Sequence, residues 1–251
     1  MTHLQWIADA TLLPLYWMQS LRVRRTTPRL PEPEGPREGL FGEGAPLRLL
    51  VVGDSSAAGV GVGTQADALT GQLVSRLGQR RTVGWRLVAR SGLTTAEIVE
   101  LVEQSNPSAF DVAVVAAGAN DLTQRIPIER WIRALHRLVD VLGTRFGIAH
   151  TVLSPLPPFQ EFPALPEPLR GFVGRRAAVY NAALAAFSEG RRDCTLLDSP
   201  FASGTPGLDA RSAMASDGFH PGAPVYAAWA ECAASEIQLL HPPSALTLGA
   251  S

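Results

Sequence analysis

Short apolar runs alternate with amphipathic stretches from residue 47 to residue 240. The run LRLLVVGD, beginning at Leu47, is continuously apolar and ends in glycine. Such a run marks a strand buried on both faces. Gly84–Ala89, Asp111–Gly118, Ala149–Leu153 and Cys194–Leu197 read as four more strands. Between them, apolar residues recur at helical spacing. Ala66–Leu77, Arg175–Ser188 and Pro221–Leu240 are predicted helices, and Pro127–Phe146 carries Trp131, Leu135, Leu138 and Leu142 along one side. Thr94 and Glu97 have capping-box spacing, which predicts a helix running to Glu103. Strands alternating with helices predict a parallel sheet covered on both faces, a doubly wound α/β sandwich. In such sheets a site forms beyond the carboxyl ends of the strands.

The first 46 residues do not follow this pattern. Leu4–Leu21 is largely apolar but contains Asp9 and Pro14, and Arg22, Arg24 and Arg25 follow it. No basic stretch precedes it and no small-residue cleavage site follows, so it does not read as a cleavable signal. A carboxylate is costly at a bilayer centre, and proline interrupts a helix. The segment is expected to pack on the domain or in an oligomer, or to lie on a membrane surface through residues 4–21. A cytoplasmic or membrane-associated location is the expectation. Residues 26–46, rich in proline, glycine and glutamate, read as a linker or extended arm, with the domain over 47–241 and a tail over 242–251.

Composition adds exclusions. Apolar residues make up 46% and charged residues 18%, which is globular, and 251 residues suffice for one well-buried domain. A formal net charge of −1 gives no reason to expect a nucleic-acid partner. Every Lys/Arg position is arginine, so no P-loop lysine exists, and Gly59, Gly61 and Gly63 are not spaced as a dinucleotide-binding turn. Cys194 and Cys232 lack metal-ligand spacing, and whether they pair stays open. The sequence does not fix the oligomeric state.

Four segments fall where a site is expected: GDSSAAGVG after the first strand, Ser91-Gly92 after the second, GAND after the third, and SDGFHP before the last helix. Ser55 opens a glycine-rich turn among unpaired backbone N–H groups, a setting for an activated hydroxyl. Asp217 and His220 are three residues apart, just before Pro221. A carboxylate there can take the Nδ1–H of His220 and leave Nε2 to deprotonate Ser55. The Asn120 amide and the Gly92 N–H can donate to an oxyanion. Pro158, Phe159 and Phe162, in the proline-dense loop 154–168, are candidate walls of an acyl pocket.

Together these segments resemble the SGNH, or GDSL-type, serine hydrolase family of esterases and lipases. GDSSAAG resembles its first block, Gly92 its second, Gly118, Asn120 and Asp121 its third, and Asp217 with His220 its last. The resemblance covers residues 47–240. It implies a flavodoxin-like three-layer α/β/α sandwich with a central five-stranded parallel sheet. It also implies a Ser55–His220–Asp217 triad, and an oxyanion hole from the Ser55 and Gly92 N–H groups and the Asn120 amide. Asp54, Gly118 and Asp121 become supporting residues, and no metal or cofactor is implied. The expected substrate is a small-molecule carboxylic ester with a short to medium acyl chain, acetylated carbohydrate among the candidates. The alternatives are a lysophospholipase or thioesterase, or a non-hydrolytic acyltransferase or binding module on the same fold.

Overall fold

The computed structural model describes residues 3–199 and 213–242. The tail beyond 242 and residues 200–212 of the expected domain lie outside them.

Six strands form one sheet: β1 (Glu38–Phe41), β2 (Ala45–Gly53), β3 (Arg81–Ala89), β4 (Val112–Ala116), β5 (His150–Leu153) and β6 (Cys194–Leu196). Their order is β1-β3-β2-β4-β5-β6. The pairs from β3 through β6 are all parallel, and β1 joins the β3 edge antiparallel. The five parallel strands are those read from the apolar runs. The sixth corrects the reading of 26–46 as a linker, because residues 38–41 belong to the sheet. All four residues of β1 are exposed, so no buried face marked them in the sequence.

Helices cover both faces. The long ones are α1 (His3–Thr26), α3 (Leu69–Leu77), α4 (Thr95–Gln104), α6 (Ile128–Phe146), α7 (Leu169–Glu189) and α8 (Ala223–Leu240). The short α2 (Ser55–Ala58) and α5 (Ala119–Thr123) follow strands directly. Alternate strand residues serve two cores, which explains why the runs are continuously apolar. Leu50, Val52, Ala113 and Val115 pack beneath α4, α6 and α7. Leu49, Val51, Val112 and Val114 pack beneath α3 and α8. The last helix starts at Ala223, two residues later than expected. Pro221 instead bridges Met214, and Pro224 occupies the first turn.

Helix α1 corrects a second expectation. It runs unbroken through Pro14, although an interior proline costs about 3 kcal/mol. Contacts with the body hold it. Tyr16, 1% exposed, stacks on Phe172 at 4.4 Å and donates to Asp9 at 2.8 Å; Asp9 pairs with Arg175 at 2.5 Å. Gln19 bonds the start of α7 through the Glu167 carbonyl and the Leu169 N–H. Elsewhere on α1, Leu13, Trp17 and Met18 are more than half exposed. No described helix is long and apolar enough to cross a membrane.

Candidate active site

Strand register places the segments at one rim. Gly53 of β2 lies level with Ala89 of β3 and with Ala116 of β4. The residues after each strand therefore emerge side by side: Asp54-Ser55, Arg90–Gly92, and Ala117–Asn120. Gly53 allows this closeness, since a Cβ there would fall 2.0 Å from the Ala116 carbonyl oxygen. Asp54 caps α2, accepting from the Ser56 N–H at 3.0 Å and the Ser56 hydroxyl at 2.7 Å. The neighbouring serine is thereby tied down, while Ser55 faces the cavity.

The turn before α8 brings His220 to Ser55. His220 Nε2 is 3.0 Å from Ser55 Oγ, and Nδ1 is 2.6 Å from Asp217 Oδ2. Asp217 Oδ1 accepts the Phe219 and His220 N–H groups at 2.9 Å each. Its side chain is fully buried. Burial opposes its ionisation, but the His220 ring and these two N–H donors prevail, holding the carboxyl below its ordinary value. A buried anion thus orients an imidazole whose far nitrogen touches a hydroxyl. This geometry can move a proton off that hydroxyl.

Gly92 and Asn120 line the same cavity as Ser55 and His220. Gly92 has φ +85° and nothing within 4 Å of a notional Cβ, so backbone conformation, rather than crowding, calls for glycine there. The Asn120 amide nitrogen donates to the Leu93 carbonyl at 3.0 Å and contacts Asp54 Oδ2 at 3.4 Å. Its second proton is thus only loosely held. Burial pushes Asp54 up to about 6, against the hydrogen bonds from Ser56. Asp121 accepts from the Thr95 N–H and hydroxyl at 2.8 Å each, locking this block to the start of α4. Burial raises its carboxyl too, over those two bonds. Gly118, φ +117°, has Trp131 2.9 Å from where a Cβ would sit.

One contributor escaped the sequence reading. Glu32, in the arm, accepts from the N–H and the hydroxyl of Ser91 at 2.8 Å each and pairs with Arg37 at 2.9 Å. Burial works against its ionisation, but Ser91 and Arg37 outweigh it and keep the carboxyl below its ordinary value. The only sequence signal was an acid between two prolines, which does not name a partner.

The cavity is about 640 Å³. Phe159, Leu165, Leu169, Phe172 and Phe219 give it an apolar side, and Val23 and Leu30 of the N-terminal segment extend it. Of the three expected wall residues, only Phe159 lines it. Pro158 borders a different cavity, with Gln160 and Asn181. Phe162 sits behind, 4.8 Å from the Phe159 ring and 5.3 Å from that of Phe219. The single 3-10 turn over Phe159–Glu161 sends adjacent side chains to different sides, and no periodic pattern announces it. Both cysteines are free; burial pushes Cys194 up to about 12.

The family model for the GDSL-like lipase/acylhydrolase family matches residues 51–228. The chain belongs to this family. Solved structures with the same fold include TesA, with a TM-score of 0.60 at 20% identity over 77% of this chain and 99% of that one. The psychrotrophic esterase EstA from Pseudoalteromonas sp., in a structure inhibited by monoethylphosphonate, gives 0.57 at 18% over 77% and 97%. A catalytic mutant of Axe2, an acetylxylan esterase from Geobacillus stearothermophilus, gives 0.58 at 17% over 78% and 96%. Comparison with curated protein sequences found no significant match. The GDSL-like match begins inside β2, so α1, the arm with Glu32, and β1 all precede it.

Proposed function

We propose that this GDSL-like acylhydrolase is a serine esterase that cleaves carboxylic esters through an acyl-enzyme on Ser55. The observation that carries the reading is the pair of contacts on one imidazole: 3.0 Å to the Ser55 hydroxyl and 2.6 Å to the Asp217 carboxylate. Ser55 Oγ attacks the ester carbonyl carbon while His220 Nε2 takes its proton. Asp217 holds the tautomer and stabilises the imidazolium. The carbonyl oxygen, now anionic, faces the Ser55 and Gly92 N–H groups and the Asn120 amide, each such donor typically lowering the barrier by about 3 kcal/mol. Collapse breaks the acyl–oxygen bond, and His220 returns its proton to the leaving alcohol. Water then attacks with the same base, and the acid leaves.

A bounded apolar cavity beside Ser55 supports short to medium acyl chains. The likeness to an acetylxylan esterase supports including acetylated carbohydrate among the esters tried. A panel of nitrophenyl esters and acetylated sugars against purified protein tests the reading, together with fluorophosphonate labelling. Turnover is expected on the short esters, with label on Ser55 alone. Label on Ser56, or labelling without release of acid, would overturn hydrolysis at Ser55.

A further inference from the structure

The cavity beside Ser55 contains more cationic side chains than its apolar wall needs. Arg24, Arg29, Arg125 and Arg176 line it, and no Asp or Glu is among its lining residues. The contrast is large in a chain whose formal net charge is −1. Elsewhere arginine meets carboxylate: Arg37 with Glu32, Arg48 with Asp111, Arg137 with Glu103, Arg191 with Asp193. None of the four cavity arginines has a carboxylate partner among the described residues.

Two of the four are held in place. Arg125 has φ +62°, the only non-glycine residue in the left-handed region among those described. It ends α5 in a Schellman arrangement: its N–H donates to the Leu122 carbonyl at 3.1 Å, and the Ile126 N–H to that of Asp121 at 2.9 Å. Glycine would sit there with about 1 kcal/mol less strain. The position spends that energy on a guanidinium facing the cavity. Arg176 lies over the Phe172 ring at 5.9 Å, and Phe172 is itself stacked on Tyr16 of α1. Its Nε is buried without a hydrogen-bond partner.

Arginines without a carboxylate partner, contributed by α1, the arm, the end of α5 and α7, with Arg176 also beside the Tyr180 hydroxyl, form a rim with the donor geometry that phosphate and carboxylate recognise. We infer that Arg24, Arg29, Arg125 and Arg176 form an anion subsite at the mouth of the cavity, which selects acyl esters or thioesters carrying a phosphate group. The assignment rests on the esterase reading for what happens to the ester, but binding at the rim requires no turnover. The acyl chain lies along Phe159, Leu169 and Phe172, the carbonyl reaches Ser55, and the phosphate meets the arginines. Arg24 and Arg29 come from the segment before the family match, whereas Arg125 and Arg176 lie within it.

Calorimetric titration of the full-length protein with octyl phosphate, octyl glucoside and inorganic phosphate tests the subsite without catalysis. Octyl phosphate is expected to bind at least tenfold more tightly than the other two. R125A/R176A should weaken it at least tenfold while changing octyl glucoside much less, and R125K/R176K should recover part of the loss. R24A/R29A, on exposed positions, should weaken it about threefold, and serves if the first variant melts early. Equal affinity for the phosphate and glucoside amphiphiles, or affinity for octyl phosphate unchanged in both alanine variants, would overturn the subsite. Octanoyl glycerol 3-phosphate and octanoyl-coenzyme A, each against octanoyl glycerol, separate the two sources of such a phosphate. Faster hydrolysis of either supports the assignment, and slower hydrolysis of both opposes it. Hydrolysis of none of these and of no nitrophenyl ester or acetylated sugar, with tight octyl phosphate binding retained, refutes the esterase reading and leaves the subsite standing.

Discussion

Glu32 accepts hydrogen bonds from both the backbone N–H and the hydroxyl of Ser91, each at 2.8 Å, across 59 residues of chain. The bond to the backbone fixes the Arg90–Ser91 peptide, one unit before the peptide that carries the Gly92 N–H proposed to meet the oxyanion. E32A should therefore lower kcat on a nitrophenyl ester about tenfold, less than the loss of a whole donor. KM should change little. A variant with parental kcat and only a lower melting temperature would make Glu32 a purely structural brace.

The proposed triad makes a steeper prediction. S55A should lose at least a thousandfold in kcat, while D217N, with an amide that pairs with the wrong tautomer, should lose about a hundredfold or more. Ser56, tied to Asp54, should tolerate alanine with turnover within about threefold. Steady-state kinetics on one ester, with circular dichroism to verify folding, decides all three. Similar rates for S55A and S56A would contradict the assignment.

Asp54 predicts a pH dependence of stability. Its carboxyl rises from 3.8 to about 6 on folding, chiefly through burial, so the folded state resists its ionisation. Wild type therefore loses stability from this residue as pH climbs from about 4 through 6, by roughly 3 kcal/mol in all. D54N keeps an oxygen for Ser56 and has nothing to ionise. Relative to wild type, D54N should gain about that much between pH 4 and pH 7.5 in urea melts. A difference that stays constant with pH would show that Asp54 ionises as easily folded as unfolded.

Tyr16 anchors α1. Y16A removes the stack on Phe172 and the bond to Asp9, at a cost of about 3–5 kcal/mol for a buried aromatic. The expected effect is local. Hydrogen exchange should accelerate across α1 while β2 and β4 stay protected. KM should rise on esters that reach Val23 and Leu30. Uniform acceleration through the sheet would instead make α1 part of the cooperative core.

The parallel sheet was legible because each central strand is buried twice. Leu49 and Leu50 face opposite cores, so no polar residue interrupts the run. That Ser55, Gly92, Asn120 and His220 meet at one cavity was legible because each stands in a segment resembling a GDSL-type block and falls at the strand-end rim. What stayed hidden depends on partners distant in sequence. Nothing near Glu32 points to Ser91, and nothing near Leu40 points to Gly84, its partner across the antiparallel edge. Phe162 packs behind Phe159 across one 3-10 turn, so only the first ring reaches the cavity, and one turn is too short to leave a periodic signal. Pro14 reads as a helix breaker until Asp9, Tyr16 and Gln19 are seen to be clamped by α7.

The place where the family match starts has a practical consequence. An expression fragment cut to residues 51–228 would retain Ser55, His220 and Asp217 but split β2 and discard β1. It would also leave Ser91 without its acid and remove one flank of the cavity. Whatever such a fragment hydrolysed would describe a stripped-down catalyst with an enlarged, less charged entrance. Because α1, the arm and β1 pack on the body that carries the motif, substrate profiling belongs with the uncut chain.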